Sequence, residues 1–238
     1  MRHIPNILTL GNLFCGCLGI AAIFNAKPEA AFLLTLCSLL LDFLDGLSAR
    51  LLHAYSETGK QLDSLADMVS FGAVPGFTLY TLFFMGTSSS DMEPGLLTVG
   101  QHFMFLVTLF SALRLAKFNV DTRQKNYFIG LPTPANTLMI MPMPLILSQD
   151  TLGLGPLISH PVFLLAFTCI SSWLLVAEIP LIALKFKTWR WSANQPQYTL
   201  LIFSAISIAL LGLAAPMAII VFYLILSLLF PPEKSIEL

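Results

Sequence analysis

Asp42, Asp45, Asp63 and Asp67 interrupt otherwise apolar stretches of the chain. A carboxylate placed about 15 Å along a membrane helix is costly unless it faces a polar cavity, a partner or a metal. The pattern reads Asp42-x-x-Asp45-Gly46-x-x-Ala49-Arg50, then eight residues, then Gly59-x-x-x-Asp63-x-x-x-Asp67. Asp42, Asp45, Gly46 and Ala49 fall on one helical stripe, and Gly59, Asp63 and Asp67 on a second. The connection HAYSET (53–58) is short enough to fold the two helices into a hairpin with the stripes facing. Four carboxylates then converge on an oxygen-rich site suited to Mg²⁺ or Mn²⁺. Gly46, Ala49 and Gly59 remove side chains from the same faces, which serves either close helix packing or a bulky ligand. Arg50 adds a guanidinium fork suited to phosphate. Together these residues point to phosphoryl-type chemistry: paired metals bridge a diphosphate, and a carboxylate outside the tightest coordination takes a proton from an attacking hydroxyl. Spacing alone names neither the nucleotide nor the acceptor.

The elements that position these aspartates are membrane spans. Of 238 residues, 56% are hydrophobic and 11% charged, with a net charge of −1; mean hydropathy is +0.82. A soluble domain carries about 25% charged residues, so a soluble globular domain, a disordered chain and a basic nucleic-acid binder are all disfavoured. The expected class is an all-α integral membrane protein, one polytopic domain over residues 1–238. Eight spans are expected: Asn6 to Asn25, Ala30 to Leu52, Gln61 to Met85, Val99 to Val120, Pro134 to Leu147, Leu157 to Leu184, Tyr198 to Leu213 and Pro216 to Phe230. The last two form one apolar run, divided at LGLAAP; a single tilted helix there would give seven. Arg2, Arg50, Lys60, Lys117, Arg123, Lys125, Lys185, Lys187, Arg190 and Lys234 mark the termini and even-numbered connections. The odd connections hold Lys27 as their one base beside the acids Glu29, Asp91, Glu93 and Asp150. The positive-inside rule then places both termini and the aspartate hairpin in the cytoplasm.

Cys15, Cys17, Cys37 and Cys169 lie in apolar segments and read as small buried side chains rather than metal ligands. Pro5-Asn6 and the spans that follow favour a retained first helix over a cleaved signal peptide. Glu178, beside Pro180 in the sixth span, marks a broken helix.

The segment DFLDGLSARLLHAYSETGKQLDSLAD (42–67) matches all eight fixed positions of a 26-residue signature, and by it the chain resembles the CDP-alcohol phosphatidyltransferase family. IPNILTLGNLFCG (4–16), MVSFGAVPGF (68–77), RLAKFNV (114–120) and GLPTPAN (130–136) are similar to its phosphatidylserine synthase branch. The resemblance implies transfer of a phosphatidyl group from CDP-diacylglycerol to L-serine, giving phosphatidylserine and CMP. It implies two metal ions on Asp42, Asp45, Asp63 and Asp67, with Asp67 also the general base. It further implies that Gly46, Ala49 and Arg50 contact the CDP part of the donor, with Asn6, Ser56 and Gly59 as further donor residues. Residues 1–136 would be the catalytic helices, and 137–238 scaffold or dimer interface in a homodimer of the bacterial cytoplasmic membrane.

For the acceptor, serine presents a carboxylate and an ammonium; Arg114 is the candidate carboxylate ligand and Asn119 the residue that orients the amino acid. A sister enzyme acting on glycerol 3-phosphate, inositol phosphate or choline is the nearest alternative. An ion-coupled transporter is the alternative from another class; against it stand the confinement of the acids to one hairpin and the want of an inverted repeat.

Overall fold

The structure, a computed structural model, describes residues 3–87, 94–121, 128–182, 191 and 194–230. Of the charged residues used above as topology markers, Arg2, Asp91, Glu93, Arg123, Lys125, Lys185, Lys187, Arg190 and Lys234 lie outside that set. The chain is helical, with five segments long and apolar enough to cross a membrane among the described residues: Ile4–Phe24, Pro28–Leu51, Glu57–Thr87, Leu97–Val120 and Gln195–Leu229.

Helix α1 (Ile4–Phe24) and α2 (Pro28–Leu51) each carry proline in the first turn, where the missing N–H has no intrahelical partner to lose. They form an antiparallel pair turned at Ala26, which takes positive φ. Helix α2 closes with the Ala54 N–H on the Ala49 carbonyl at 3.0 Å, and His53 at φ 48° redirects the chain. Ser56 then caps α3 (Glu57–Asp67), its hydroxyl accepting from the Gly59 N–H at 2.9 Å. The HAYSET hairpin is thus built from a left-handed stop and a serine start.

A π-helical turn, Met68–Ala73, follows α3 and leads into α4 (Val74–Thr87). Pro75 has no N–H to offer the Phe71 carbonyl four residues earlier. That carbonyl instead accepts from the Thr137 hydroxyl at 3.0 Å, and the Gly72 carbonyl accepts from Thr108 at 2.9 Å. The disrupted ladder is therefore repaired from two neighbouring helices. Helix α1 approaches this turn closely at Gly16: a Cβ there would lie 2.5 Å from Ser70 Oγ and 3.0 Å from its Cα.

Helices α5 (Pro94–Phe103) and α6 (Leu106–Val120) make the next span, kinked at Met104 and Phe105. The short fifth segment is α7 (Thr133–Ile140) and α8 (Met143–Gln149), interrupted at Pro142. A single turn, α9 (Gly155–Ile158), leads to α10 (Pro161–Val176).

Helix α10 is shorter than the Leu157 to Leu184 span expected from hydropathy. Ala177 is extended at ψ 141°, two-residue strand β2 (Pro180–Leu181) follows, and it pairs antiparallel with β1 (Phe128–Ile129). Pro180 disfavours helix in the residue before it, and the Ile179 carbonyl is taken by the Gly130 N–H at 2.9 Å. Glu178 does mark a broken helix.

The final run is α11 (Gln195–Leu211) and α12 (Ala215–Leu229), separated at Gly212, whose φ is 53°. Phe203 and Phe222 stack with centroids 4.0 Å apart. A straight helix would separate residues nineteen apart by about 28 Å, so the chain folds back at LGLAAP.

The core lies where α4, α6, α7, α8 and α10 meet, around Leu79, Phe83, Met104, Val107, Ile140 and Leu164. The Lys60 ammonium donates to the Asn119 carbonyl at 3.1 Å, so the start of α3 and the end of α6 share one end of the bundle. Replacing Gly16 with Val is expected to lower stability by about 1–3 kcal/mol, because the colliding partner is partly backbone. Thermal unfolding in detergent reads this; an unchanged midpoint would contradict the close approach of α1 to the π-turn.

Candidate active site and metal centre

Asp42 projects from α2, and Asp63 and Asp67 from α3. One carboxylate oxygen of each lies within 4.8 Å of the others. Asp45, one turn along α2 from Asp42, is not part of that trio. Its Oδ2 accepts a 2.6 Å hydrogen bond from the Thr9 hydroxyl of α1, which holds it at the wall of the adjoining cavity. The expected four-way convergence is therefore three carboxylates in close reach and a fourth beside them.

The trio suits a divalent cation. Its donors are hard carboxylate oxygens, the set that Mg²⁺ and Mn²⁺ prefer. Asp63 Oδ1 is buried and has no hydrogen-bond partner among the described residues. A buried carboxylate oxygen without a donor is a costly arrangement in a folded protein, and a cation between α2 and α3 satisfies it.

Next to the trio lies a cavity of about 570 Å³, enclosed by the start of α1, the end of α2, the connection and the start of α3. Asn6, Gly46, Ala49, Arg50, Ser56 and Gly59 all line it, with Asp45 and Asp63 at the same wall. The volume is that of a small-molecule site. A Cβ added to Gly46 would meet nothing within 4 Å, so this glycine opens the cavity and packs no helix against α2. Gly59 has the other use: a Cβ there would sit 3.1 Å from Asn6 Oδ1 and 2.9 Å from Ser56 Oγ. Its absence lets α1 and the α3 cap meet. Arg50 is exposed at the cavity, free of burial cost for its charge.

The two residues considered for the acceptor lie apart from this cavity. Arg114 on α6 is 5% exposed; its Nε donates to the Leu131 carbonyl at 3.4 Å and its guanidinium lies 5.5 Å from the Phe118 ring centroid. Asn119 donates from Nδ2 to Ser64 Oγ at 2.8 Å. It ties α6 to α3 one turn before Asp67.

Sequence reasoning passed over Asn12. This residue is fully buried, and its Nδ2 donates to Asp67 Oδ1 at 3.1 Å. The signal was present in IPNILTLGNLFCG: Asn6, Thr9 and Asn12 recur every three residues on a helix otherwise almost wholly apolar.

A carboxylate trio beside a cavity of small-molecule size, in a bundle of helices long and apolar enough to cross a membrane, marks the candidate site of an integral membrane protein. The family model described as CDP-alcohol phosphatidyltransferase matches residues 2–184, and the chain belongs to this family. It is 33% identical over 184 residues to the CDP-diacylglycerol–serine O-phosphatidyltransferase of Bacillus subtilis, covering 75% of this chain and 89% of that one. The protein of the same name from Helicobacter pylori strain J99 is 35% identical over 139 residues, 58% of this chain and 55% of its own. That from Mycobacterium leprae is 29% identical over 233 residues, 95% of this chain and 70% of its own.

Replacing Asp63 with Asn is expected to weaken Mn²⁺ binding by roughly tenfold or more, since affinity follows the count of charged ligands. Electron paramagnetic resonance of free Mn²⁺ during titration reads the loss; unchanged affinity would place the ion elsewhere.

Proposed function

We infer that the protein transfers the phosphatidyl group of CDP-diacylglycerol to the hydroxyl of L-serine, releasing CMP and forming phosphatidylserine. The observation that carries this reading is the continuity between the cavity and the aspartate trio. Arg50, Gly46, Ala49, Asn6, Ser56 and Gly59 surround a space for CDP, and the carboxylates begin where its diphosphate would end. The named relatives support serine as the acceptor.

In this reading Arg50 pairs with the diphosphate, with its fork matched to phosphate oxygens. Gly46 and Ala49 let the nucleotide lie against the α2 backbone. Asp42, Asp45, Asp63 and Asp67 would hold two divalent ions, which would supply charge neutralisation at the diphosphate and at the departing phosphate. Asp67 takes the proton of the serine hydroxyl. The hydroxyl oxygen bonds to the β-phosphorus, the bond from that phosphorus to the bridging oxygen breaks, and CMP leaves with the bridging oxygen. Arg114, buried on α6 and outside the donor cavity, would have to receive the serine carboxylate from the α6 side. Asn119 contributes from behind α3, through Ser64, rather than from the donor cavity.

The proposal extends to eight crossings of the bacterial cytoplasmic membrane, with both termini and the site on the cytoplasmic side. Arg50, Lys60 and Lys117 gather at the end of the bundle that carries the aspartates, as the positive-inside rule requires of a cytoplasmic face. It also includes a homodimer, in which residues 137–238 serve as scaffold or interface.

Purified protein in detergent, given CDP-diacylglycerol, serine and Mn²⁺ or Mg²⁺, is expected to release CMP, and Asp67→Asn to abolish turnover while keeping the fold. No CMP with any alcohol would overturn the reaction; release with glycerol 3-phosphate but not with serine would overturn the acceptor. Gly46→Leu is expected to raise the KM for CDP-diacylglycerol about tenfold or more, without a change in unfolding midpoint, by filling the donor cavity. Initial rates against donor concentration test this; an unchanged KM would contradict the cavity's assignment.

A further inference from the structure

Asn12 joins three helices through its own polar atoms. Its Nδ2 donates to Asp67 Oδ1 at 3.1 Å. Its Oδ1 accepts from the Ser38 hydroxyl of α2 at 2.5 Å; that hydroxyl also lies 3.0 Å from the Asn12 backbone carbonyl, which accepts as well from the hydroxyl of Ser70, in the π-turn, at 3.0 Å. Asn12 and Ser38 have no solvent exposure, and Ser70 has 1%.

The chemistry of the amide makes this arrangement directional. A hydroxyl that donates to Oδ1 commits that end of the amide as acceptor, and the other end then has only N–H to offer. Asp67 therefore faces a fixed donor, and the Asn12 bond occupies Oδ1 and leaves Oδ2 free of it. Ser38 sits one helical turn before Asp42, so the same amide that restrains Asp67 is itself restrained by the helix bearing the opposing carboxylate.

We propose that Asn12 is a positioning residue for Asp67: with its amide locked by Ser38, it holds Oδ1 and directs Oδ2 toward the metal and the acceptor hydroxyl. Residues that orient metal ligands in this way affect metal affinity or activity by roughly 10–100-fold. The inference rests on the assignment of Asp67 above and adds a requirement on α1 that the signature segment does not contain. Asn6 and Thr9, six and three residues earlier on the same helix, line the donor cavity. Helix α1 thereby sets the donor and the base in one register.

The test compares Asn12→Ala, Ser38→Ala and Ser70→Ala in detergent, with kcat, the KM for CDP-diacylglycerol, unfolding midpoint and Mn²⁺ affinity measured for each. Asn12→Ala is expected to lower kcat and Mn²⁺ affinity by about 10–100-fold, with the donor KM within about twofold of the unaltered protein. Ser38→Ala, which leaves Asn12 in place but frees its amide to rotate, is expected to lower kcat about three- to tenfold. Ser70→Ala, whose hydroxyl reaches only the Asn12 backbone, is expected to keep kcat within about twofold. Full kcat and Mn²⁺ affinity in Asn12→Ala would overturn the proposal. Equal kcat losses in Ser38→Ala and Ser70→Ala would overturn it too, by showing that local packing alone is at work. Should Asn12→Ala not fold, the contrast between the two serine variants decides. Mn²⁺ affinity is read without turnover, so it still judges the positioning role if the unaltered protein proves inactive with serine.

Discussion

Three carboxylates confined within 4.8 Å of one another inside a membrane protein repel. At an effective dielectric of about 20, two like charges 5 Å apart cost roughly 3 kcal/mol, and three such pairs approach the whole folding stability of a typical domain. Such a cluster persists only where bound protons or a cation neutralise it and the surrounding helices resist its spreading. The rest of the molecule can be understood as the means of meeting both conditions. A short capped hairpin fixes α2 against α3, so that two stripes of aspartates face each other. In the proposed reaction the cavity beside them takes a ligand whose diphosphate brings further negative charge, which strengthens the demand for a cation.

Resistance to spreading comes from α1. Gly16 lets it approach the π-turn, and Thr9 and Asn12 place hydrogen bonds on Asp45 and Asp67. The π-turn lies beside Pro75, which removes a donor from the ladder; Thr137 gives the Phe71 carbonyl a partner, and Thr108 adds a hydrogen bond to the Gly72 carbonyl. Local irregularity next to Asp67 is thus tied into α6 and α7. Thr137 and the α10–α4 core thereby tie described parts of the second half of the chain to the helices that carry the aspartates.

The aspartate stripes were legible because spacings of three and four convert directly into a helix face, and a six-residue connection admits only an antiparallel neighbour. The residues around the cavity were reachable through the signature, since small residues beside acids leave room that something must fill. The break at Gly212 was legible from LGLAAP. Asn12 was not singled out although Asn6, Thr9 and Asn12 recur every three residues, because polar spacing on one helix names no partner, and the partner shows only when Asp67 is brought across from another helix. The sixth span was drawn too long because hydropathy weighs side chains, whereas Pro180 and the Gly130 N–H decide the end of α10 through the backbone. The separation of Asp45 from the trio was equally hidden: it depends on the Thr9 hydroxyl, thirty-six residues away.

The central claim is that the aspartates between α2 and α3 hold the metal on which transfer depends. Anomalous diffraction at the manganese edge, from crystals grown with Mn²⁺ and CDP-diacylglycerol, tests it most directly. Anomalous density is expected, bounded by the carboxylates of Asp42, Asp63 and Asp67, with the donor diphosphate in the adjoining cavity. Density elsewhere, or a donor bound with no metal at these carboxylates, would contradict it.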